Sequence, residues 1–91
     1  MWAFIIKRVF TLSYKKKLVV AGVIKDIDKK NINKSNSLLI SEDTKLPIQE
    51  LNEVLIEDVV YQAFTFDLDT LDTILLQDIM KLKEGYEIEI I

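Results

Sequence analysis

The chain has 91 residues, of which 49% are hydrophobic and 30% charged, and these proportions are typical of one globular domain covering residues 1–91. It contains no cysteine and no histidine, which excludes disulfides, thiolate or imidazole metal ligands and the usual general base of enzymes. The apolar start of the chain is too short to span a membrane and lacks the order of a secretory leader. We therefore expect a cytoplasmic protein with no membrane contact and no cofactor.

The first part of the chain predicts three strands. Residues 3–12 are rich in Ile, Val and Phe, and residues 17–27 form a second apolar run after a turn at 13–16. Gly22 interrupts the second run, which indicates a bulge or a close approach of two backbones. Polar turns are predicted at 28–31 and 32–36, followed by a third strand at 37–41.

The second part predicts two further strands, a helix and a final strand. A turn at 42–45 leads to a strand that starts at Leu46 and ends near Glu53 or Ile56, and Pro47 places it at a sheet edge or a strand start. Residues 59–66 alternate in the manner of a strand. Residues 69–83 predict a helix with Asp69 as its N-cap.

The predicted helix carries an apolar stripe with the spacing of one helical face. Its residues are Leu71, Ile74, Leu75, Ile79 and Leu82. Asp78 projects near the middle of this stripe, whereas Leu76 and Met80 point away from it. The final strand at 86–91 alternates apolar and acidic residues, with Tyr86, Ile88 and Ile90 predicted to face inward.

Two stretches together are similar to a known barrel. Residues 18–24 (Leu-Val-Val-Ala-Gly-Val-Ile) form an apolar strand with a glycine near its end, and residues 32–40 combine a turn with another apolar strand. This succession resembles the second-domain β-barrel of translation GTPases such as elongation factor Tu, over most of residues 3–66. The expected fold is all-β, a mainly antiparallel β-barrel of about six strands, with one C-terminal helix before the last strand.

In translation GTPases this barrel packs on the GTPase domain and contacts tRNA or ribosomal RNA. Here the phosphate-binding loop of a GTPase is absent, and no serine or cysteine nucleophile is paired with a base. The acidic run at 67–72 fails as a calcium loop because Leu71 and Asp72 occupy its fifth and sixth positions. We therefore expect a binding module that is not an enzyme and has no metal site.

Two kinds of partner remain open for this module. The first is a protein partner or a second copy in a homo-oligomer, because apolar side chains cluster at the N-terminus and on the far side of the helix. The candidate protein contacts are Trp2, Phe4, Leu76 and Met80. A place in the core, or an irregular helix, is the simpler explanation of the same residues.

The second kind of partner is RNA or the ribosome, contacted by a basic hairpin face on which an aromatic ring stacks. The candidate RNA contacts are Tyr14, Lys15, Lys16, Lys17, Lys7 and Arg8, with Lys25, Lys29 and Lys30 as further cations. A sequence pI of 4.9 disfavours RNA binding.

Charge is distributed unevenly along the chain. Residues 1–34 carry nine basic and two acidic residues (net +7), and residues 35–91 carry three basic and thirteen acidic (net −10). A barrel that pairs strands from both parts would largely cancel these fields.

Overall fold

Three hairpins and a C-terminal strand form one antiparallel sheet in a computed structural model of the chain. The structure describes residues 2–25, 32 and 36–91, with only the backbone of Trp2. Its strands are β1 (Trp2–Leu12), β2 (Lys17–Ile24), β3 (Ser37–Ser41), β4 (Thr44–Pro47), β5 (Glu50–Ile56), β6 (Val59–Asp67) and β7 (Glu87–Ile90). A short 3-10 helix (Leu68–Thr70) and helix α1 (Thr73–Met80) precede β7. This confirms the all-β class with one helix before the last strand. The predictions for residues 26–31 and 33–35 lie outside the described residues.

Over the described ranges the sheet has seven strands rather than about six, because the strand predicted from Leu46 is divided in two. The strand order is β4-β3-β7-β1-β2-β6-β5, so β4 and β5 lie at opposite edges. β4 ends at Pro47, although the backbone N–H of Ile48 still donates a hydrogen bond to the Asn36 carbonyl oxygen at 3.1 Å. Ile48, which is buried, and Gln49, which accepts a hydrogen bond from the backbone N–H of Asp67 (2.9 Å), then lead into β5.

The sheet is rolled, although its ladder does not close. Pro47 and Glu50, the facing ends of β4 and β5, are three residues apart in the chain. Three Cα steps span at most about 11 Å, so the two edges of the sheet approach each other at this end. Within the described residues no ladder joins β4 to β5. The sheet is therefore not closed into the predicted barrel, and β4, which carries Pro47, lies at an edge as the sequence predicted.

The interior of the roll holds the main hydrophobic core, here called the inner cluster. The Phe4 and Phe64 rings meet there edge to face, with centroids 4.9 Å apart and planes at 74°. Such a contact contributes about 0.5–1.5 kcal/mol beyond the burial of its area. The other buried members come from every strand except β5, from α1 and from the linking segments: Ile6, Leu18, Val20, Ile24, Ile32, Leu38, Ile40, Leu46, Ile48, Phe66, Ile79, Ile88 and Ile90.

A bulge in β1 lies opposite Gly22 and exchanges the two faces of the strand. The register with β2 shifts between Ile6 and Arg8, where Ile6 pairs with Gly22. Phe4 and Ile6 face the inner cluster before the bulge, whereas Phe10 faces the other side after it. A Cβ atom on Gly22 would collide with the backbone carbonyl of Ile5. This confirms the predicted bulge and close backbone approach at Gly22.

Helix α1 is shorter than the predicted helix at 69–83 and has a different cap. The Asp72 Oδ1 atom accepts a hydrogen bond from the backbone N–H of Leu75 at 2.8 Å, so Asp72 is the N-cap. Asp69 lies in the preceding 3-10 helix, and its prediction as the cap is wrong. The extended backbone of Leu71 separates the two helices, which is why they do not merge.

The apolar face of α1 is centred on Ile79, which is fully buried. Leu75 and Leu76 lie one turn before it and also pack on the inner cluster. Ile74 was predicted on this face but lies five residues from Ile79 and is 73% exposed. The prediction for the last strand is wrong for Tyr86, which belongs to a turn and is exposed. It is confirmed for the two buried isoleucines of β7.

Candidate functional site

The strands β1, β2, β6 and β5 are apolar on both of their faces. On the face opposite the inner cluster, four residues are buried in a second group, here called the outer cluster: Val19, Ala21, Ile56 and Ala63. Half-buried Phe10, Leu12, Val54 and Tyr61 pack around it. Because neighbouring residues of a strand face opposite sides, β2 and β6 can supply both clusters at once.

An open groove of about 700 Å³ runs over this face and is here called the outer groove. Its apolar surface comes from Phe10, Leu12, Val19 and Val54, its charged rim from Lys15, Lys17, Glu50 and Glu53, and its remaining surface from Asn52 and Thr65. The register places Phe10, Val19, Thr65 and Glu50 in one row across the four strands. The two middle side chains are shorter than their neighbours, and this difference leaves the hollow.

One end of the outer groove carries an ion pair and an exposed turn. Lys17 Nζ is hydrogen-bonded to Asp67 Oδ1, and this bond raises the pKa of Lys17 above its ordinary value of 10.5. Lys15 Nζ lies 5.7 Å from the centre of the Tyr14 ring. In the described part of the chain neither Lys15 nor Lys16 has an ion-pair partner, so this turn is the exposed cationic part of the surface.

Beyond the groove, the same sheet face is covered by a polar and aromatic layer. Lys7 Nζ lies 3.2 Å from Glu84 Oε2 and 6.0 Å from the centre of the Tyr61 ring. The hydrogen bond to Glu84 raises the pKa of Lys7. Arg8 approaches Glu57 at 3.9 Å. These contacts hold the two cations against the sheet, whereas the surface around Phe10 and Leu12 stays open.

The predicted RNA-contact residues are only partly brought together. Between described residues, four ion pairs connect the basic first part of the chain with the acidic second part, and three of them include a predicted RNA contact. The pairs are Lys7–Glu84, Arg8–Glu57, Lys17–Asp67 and Lys25–Glu87. The two parts are therefore mixed in space, as the barrel argument predicted. Tyr14, Lys15 and Lys16 remain exposed together in the β1–β2 turn, and Lys29 and Lys30 lie outside the described residues.

The predicted protein contacts do not form one exposed surface. Phe4 is completely buried in the inner cluster, so its prediction as a surface contact is wrong. Leu76 is half-buried and packs on the same cluster, whereas Met80 is 44% exposed. The Trp2 side chain lies outside the described part. The sequence analysis did not predict the outer groove. The feature that could have indicated it is the run of consecutive apolar residues at 18–24, which places apolar side chains on both faces of β2.

A second hollow of about 410 Å³ lies between β4 and α1, lined by Thr44, Asp72, Thr73, Ile74, Leu75 and Asp78. Its apolar side chains are Ile74, which is exposed, and Leu75, which is half-buried. Among residues 2–25, 32 and 36–91, no group of His, Cys, Asp and Glu could hold a metal ion. None of the described polar or charged side chains is buried. No helix in the described ranges is long and apolar enough to cross a membrane.

Comparisons with protein-family models, with curated proteins and with solved structures found no match to this chain. The resemblance to the barrel of translation GTPases therefore stays a prediction. The outer groove and the β1–β2 turn are the two surfaces from which a function can be inferred.

Proposed function

We propose that this chain is a non-catalytic binding module that contacts protein through the outer groove. The observation that carries this proposal is the open apolar surface of Phe10, Leu12 and Val54 on a sheet whose opposite face already fills the core. A domain of this size needs one core, and the strands supply a second apolar face beside it. Exposed apolar patches bordered by polar residues mark interaction sites.

The chemistry of the groove fits a protein segment better than a nucleic acid. Its apolar floor is bordered by cations on one side and by Glu50 and Glu53 on the other. Protein interfaces combine an apolar centre with a polar rim in this manner. RNA binding requires cations free to neutralise phosphates, and Lys7, Arg8 and Lys17 are held by acidic side chains instead.

The direct test is selection of a displayed random-peptide library on the immobilised full chain. We expect enrichment of peptides that share apolar residues and that fail to bind the Val54→Lys variant, because a lysine would place an unpaired charge in the groove. Ile74→Lys is the matched control, since it places the same charge on an exposed part of α1 outside the groove. Selected peptides that bind all three proteins equally would contradict the proposal.

A second measurement tests the RNA alternative and self-association. Light scattering of the chain at low and at high salt, with and without a mixture of short RNAs, gives its mass in each condition. We expect no mass increase with RNA. An increase at low salt that is lost at high salt, and is also lost in Lys15→Gln/Lys16→Gln, would replace the protein proposal with RNA binding. A salt-independent dimer that Val54→Lys dissociates would identify the groove's occupant as a second copy.

A further inference from the structure

Strand β5 ends the sheet and offers unpaired backbone groups on its outer side. The β5–β6 hairpin turns at Glu57 and Asp58, whose φ angles of 52° and 66° are those of a two-residue type I′ turn. In such a hairpin the pair next to the turn is hydrogen-bonded, and hydrogen-bonded pairs then alternate along the ladder. Leu51, Glu53 and Leu55 consequently direct their N–H and C=O groups away from β6.

These backbone groups, here called the β5 edge, have no partner in the part of the chain that the structure describes. The sheet order places β5 last, and no backbone hydrogen bond between described residues reaches Leu51, Glu53 or Leu55 from the outer side. β5 has seven residues, which is long enough to pair with another strand over its full length. An unpaired edge of this length is a template for strand addition.

The side chains beside the β5 edge show what an added strand would bury. Leu55 and Val60 are cross-strand neighbours on one face of the hairpin, and they are 67% and 58% exposed. A strand added to β5 would place one side chain next to Leu55 and extend this pair to a row of three. Such cross-strand apolar contacts stabilise sheets by about 0.2–1 kcal/mol each.

The charge of the edge indicates the chemistry of the partner. Residues 50–58 contain four acidic residues and no lysine or arginine. Of the four acids, Glu57 alone has a described ion pair, with Arg8. A second copy pairing through its own β5 would bring acidic residues against acidic residues, which disfavours self-addition. Glu50 and Glu53 lie on opposite faces of β5, so a strand with lysine or arginine three positions apart would place one cation beside each of them.

We propose that the β5 edge binds an extended, basic segment of a partner protein, which adds to the sheet as a further strand beside β5. This inference rests on the proposed function, since it specifies that the bound protein segment also pairs with β5, the strand at one side of the outer groove, and which residues that segment carries. Backbone hydrogen bonds provide affinity in this mode of recognition, and the acidic side chains select basic partners.

The test is an NMR titration of the full chain, labelled with ¹⁵N, with the end-blocked peptide Lys-Val-Thr-Lys-Val-Thr-Lys, in which successive lysines lie on opposite faces of an extended strand. We expect saturable shifts of the amide signals of Leu51, Glu53 and Leu55, together with slower hydrogen exchange at these amides. The same peptide with glutamate in place of lysine should not bind. Methylation of alternate peptide nitrogens keeps every side chain and removes ladder donors, and it should weaken binding at least about tenfold.

Two variants of one residue separate the backbone from the charge. Glu53→Pro removes an outward N–H group but no hydrogen bond to β6, and proline is tolerated on edge strands. We therefore expect this variant to fold but not to bind the peptide. Glu53→Gln keeps the N–H and should weaken binding less, with a smaller salt dependence. The methylated peptide is tested on the unaltered chain, so it measures the contribution of the backbone hydrogen bonds even if Glu53→Pro does not fold.

Each alternative outcome has its own signature. Equal binding of the methylated and unmethylated peptides overturns strand addition. Shifts confined to Val19 and Val54 place the segment in the outer groove and away from the edge, so the proposed function survives and this inference fails. Concentration-dependent shifts at Leu51, Glu53 and Leu55 without peptide assign the edge to a second copy and also overturn the inference. Failure of the random-peptide selection described above contradicts the proposed function itself.

Discussion

The two faces of strands β2 and β6 are built from neighbouring residues but differ in the size of their side chains. The inner face carries Leu18, Val20, Phe64 and Phe66, which fill the interior of the rolled sheet. The outer face carries Val19, Ala21, Ala63 and Thr65, which are shorter. Large inner side chains hold the strands together, and small outer ones leave the hollow of the groove. The same strands therefore support stability on one side and a candidate binding surface on the other.

The bulge in β1 connects these two roles. Without the extra residue between Ile6 and Arg8, Phe10 would face the same side as Phe4 and Ile6. The bulge turns Phe10 outward, where it forms one wall of the outer groove. One inserted residue thus changes which face receives a large aromatic side chain.

The largest expected difference between the two faces is in the free energy of unfolding, when two adjacent residues of β6 are replaced by alanine. Phe64→Ala should lower the free energy of unfolding by about 3–5 kcal/mol, because it leaves a cavity in the inner cluster and removes the contact with Phe4. Thr65→Ala on the outer face should change it by less than about 1 kcal/mol. Urea denaturation of both variants measures the difference, and equal effects would contradict the assignment of the two faces.

The bulge can be tested at the glycine that faces it. Gly22→Ala should destabilise the chain by about 1–3 kcal/mol, since the new methyl group forces the Ile5 carbonyl to move. Val23→Ala, at the next and partly exposed residue, should have a smaller effect. Thermal and urea unfolding give the two values. A neutral Gly22→Ala variant would mean that β1 and β2 do not approach each other as described.

Helix α1, which covers part of the inner cluster, can be tested at its start. Asp72→Ala removes the cap of the Leu75 N–H and should lower stability by about 1 kcal/mol. Asp69→Ala should have little effect, because Asp69 lies outside α1. Denaturation midpoints compare the two variants. A larger loss of stability in Asp69→Ala than in Asp72→Ala would instead support the longer helix predicted from the sequence, with Asp69 as its N-cap.

The smallest expected effect on stability comes from removing the ion pair of Lys17 with Asp67, at the rim of the outer groove. Its hydrogen bond raises the pKa of Lys17 above 10.5, so folding favours the protonated lysine. This contribution is fully present below pH 10.5 and is lost as the pH rises through the raised pKa. Melting temperatures of the unaltered chain and Lys17→Gln should therefore differ slightly near neutrality and converge at alkaline pH. A difference in melting temperature that stays constant up to alkaline pH would contradict a stabilising ion pair between Lys17 and Asp67.

Local sequence signals predicted most elements correctly. Alternating and continuous apolar runs placed the strands at 3–12, 37–41 and 59–66, because side-chain direction in a strand follows directly from residue parity. Gly22 predicted the bulge, since only glycine fits where two backbones approach this closely. The helix was also recognised, but Asp69 and Asp72 both fit a cap and only the observed hydrogen bond distinguishes them.

The sequence by itself determined an all-β domain with one helix, because strand and helix periodicities are properties of consecutive residues. Tertiary structure decided the rest. It divided the run after Leu46 between two opposite edges, buried Phe4, turned Phe10 outward and paired the lysines of one half with the acids of the other. Each of these outcomes depends on residues that are distant in the chain, and the periodicity of a single segment carries no information about which strand lies beside it.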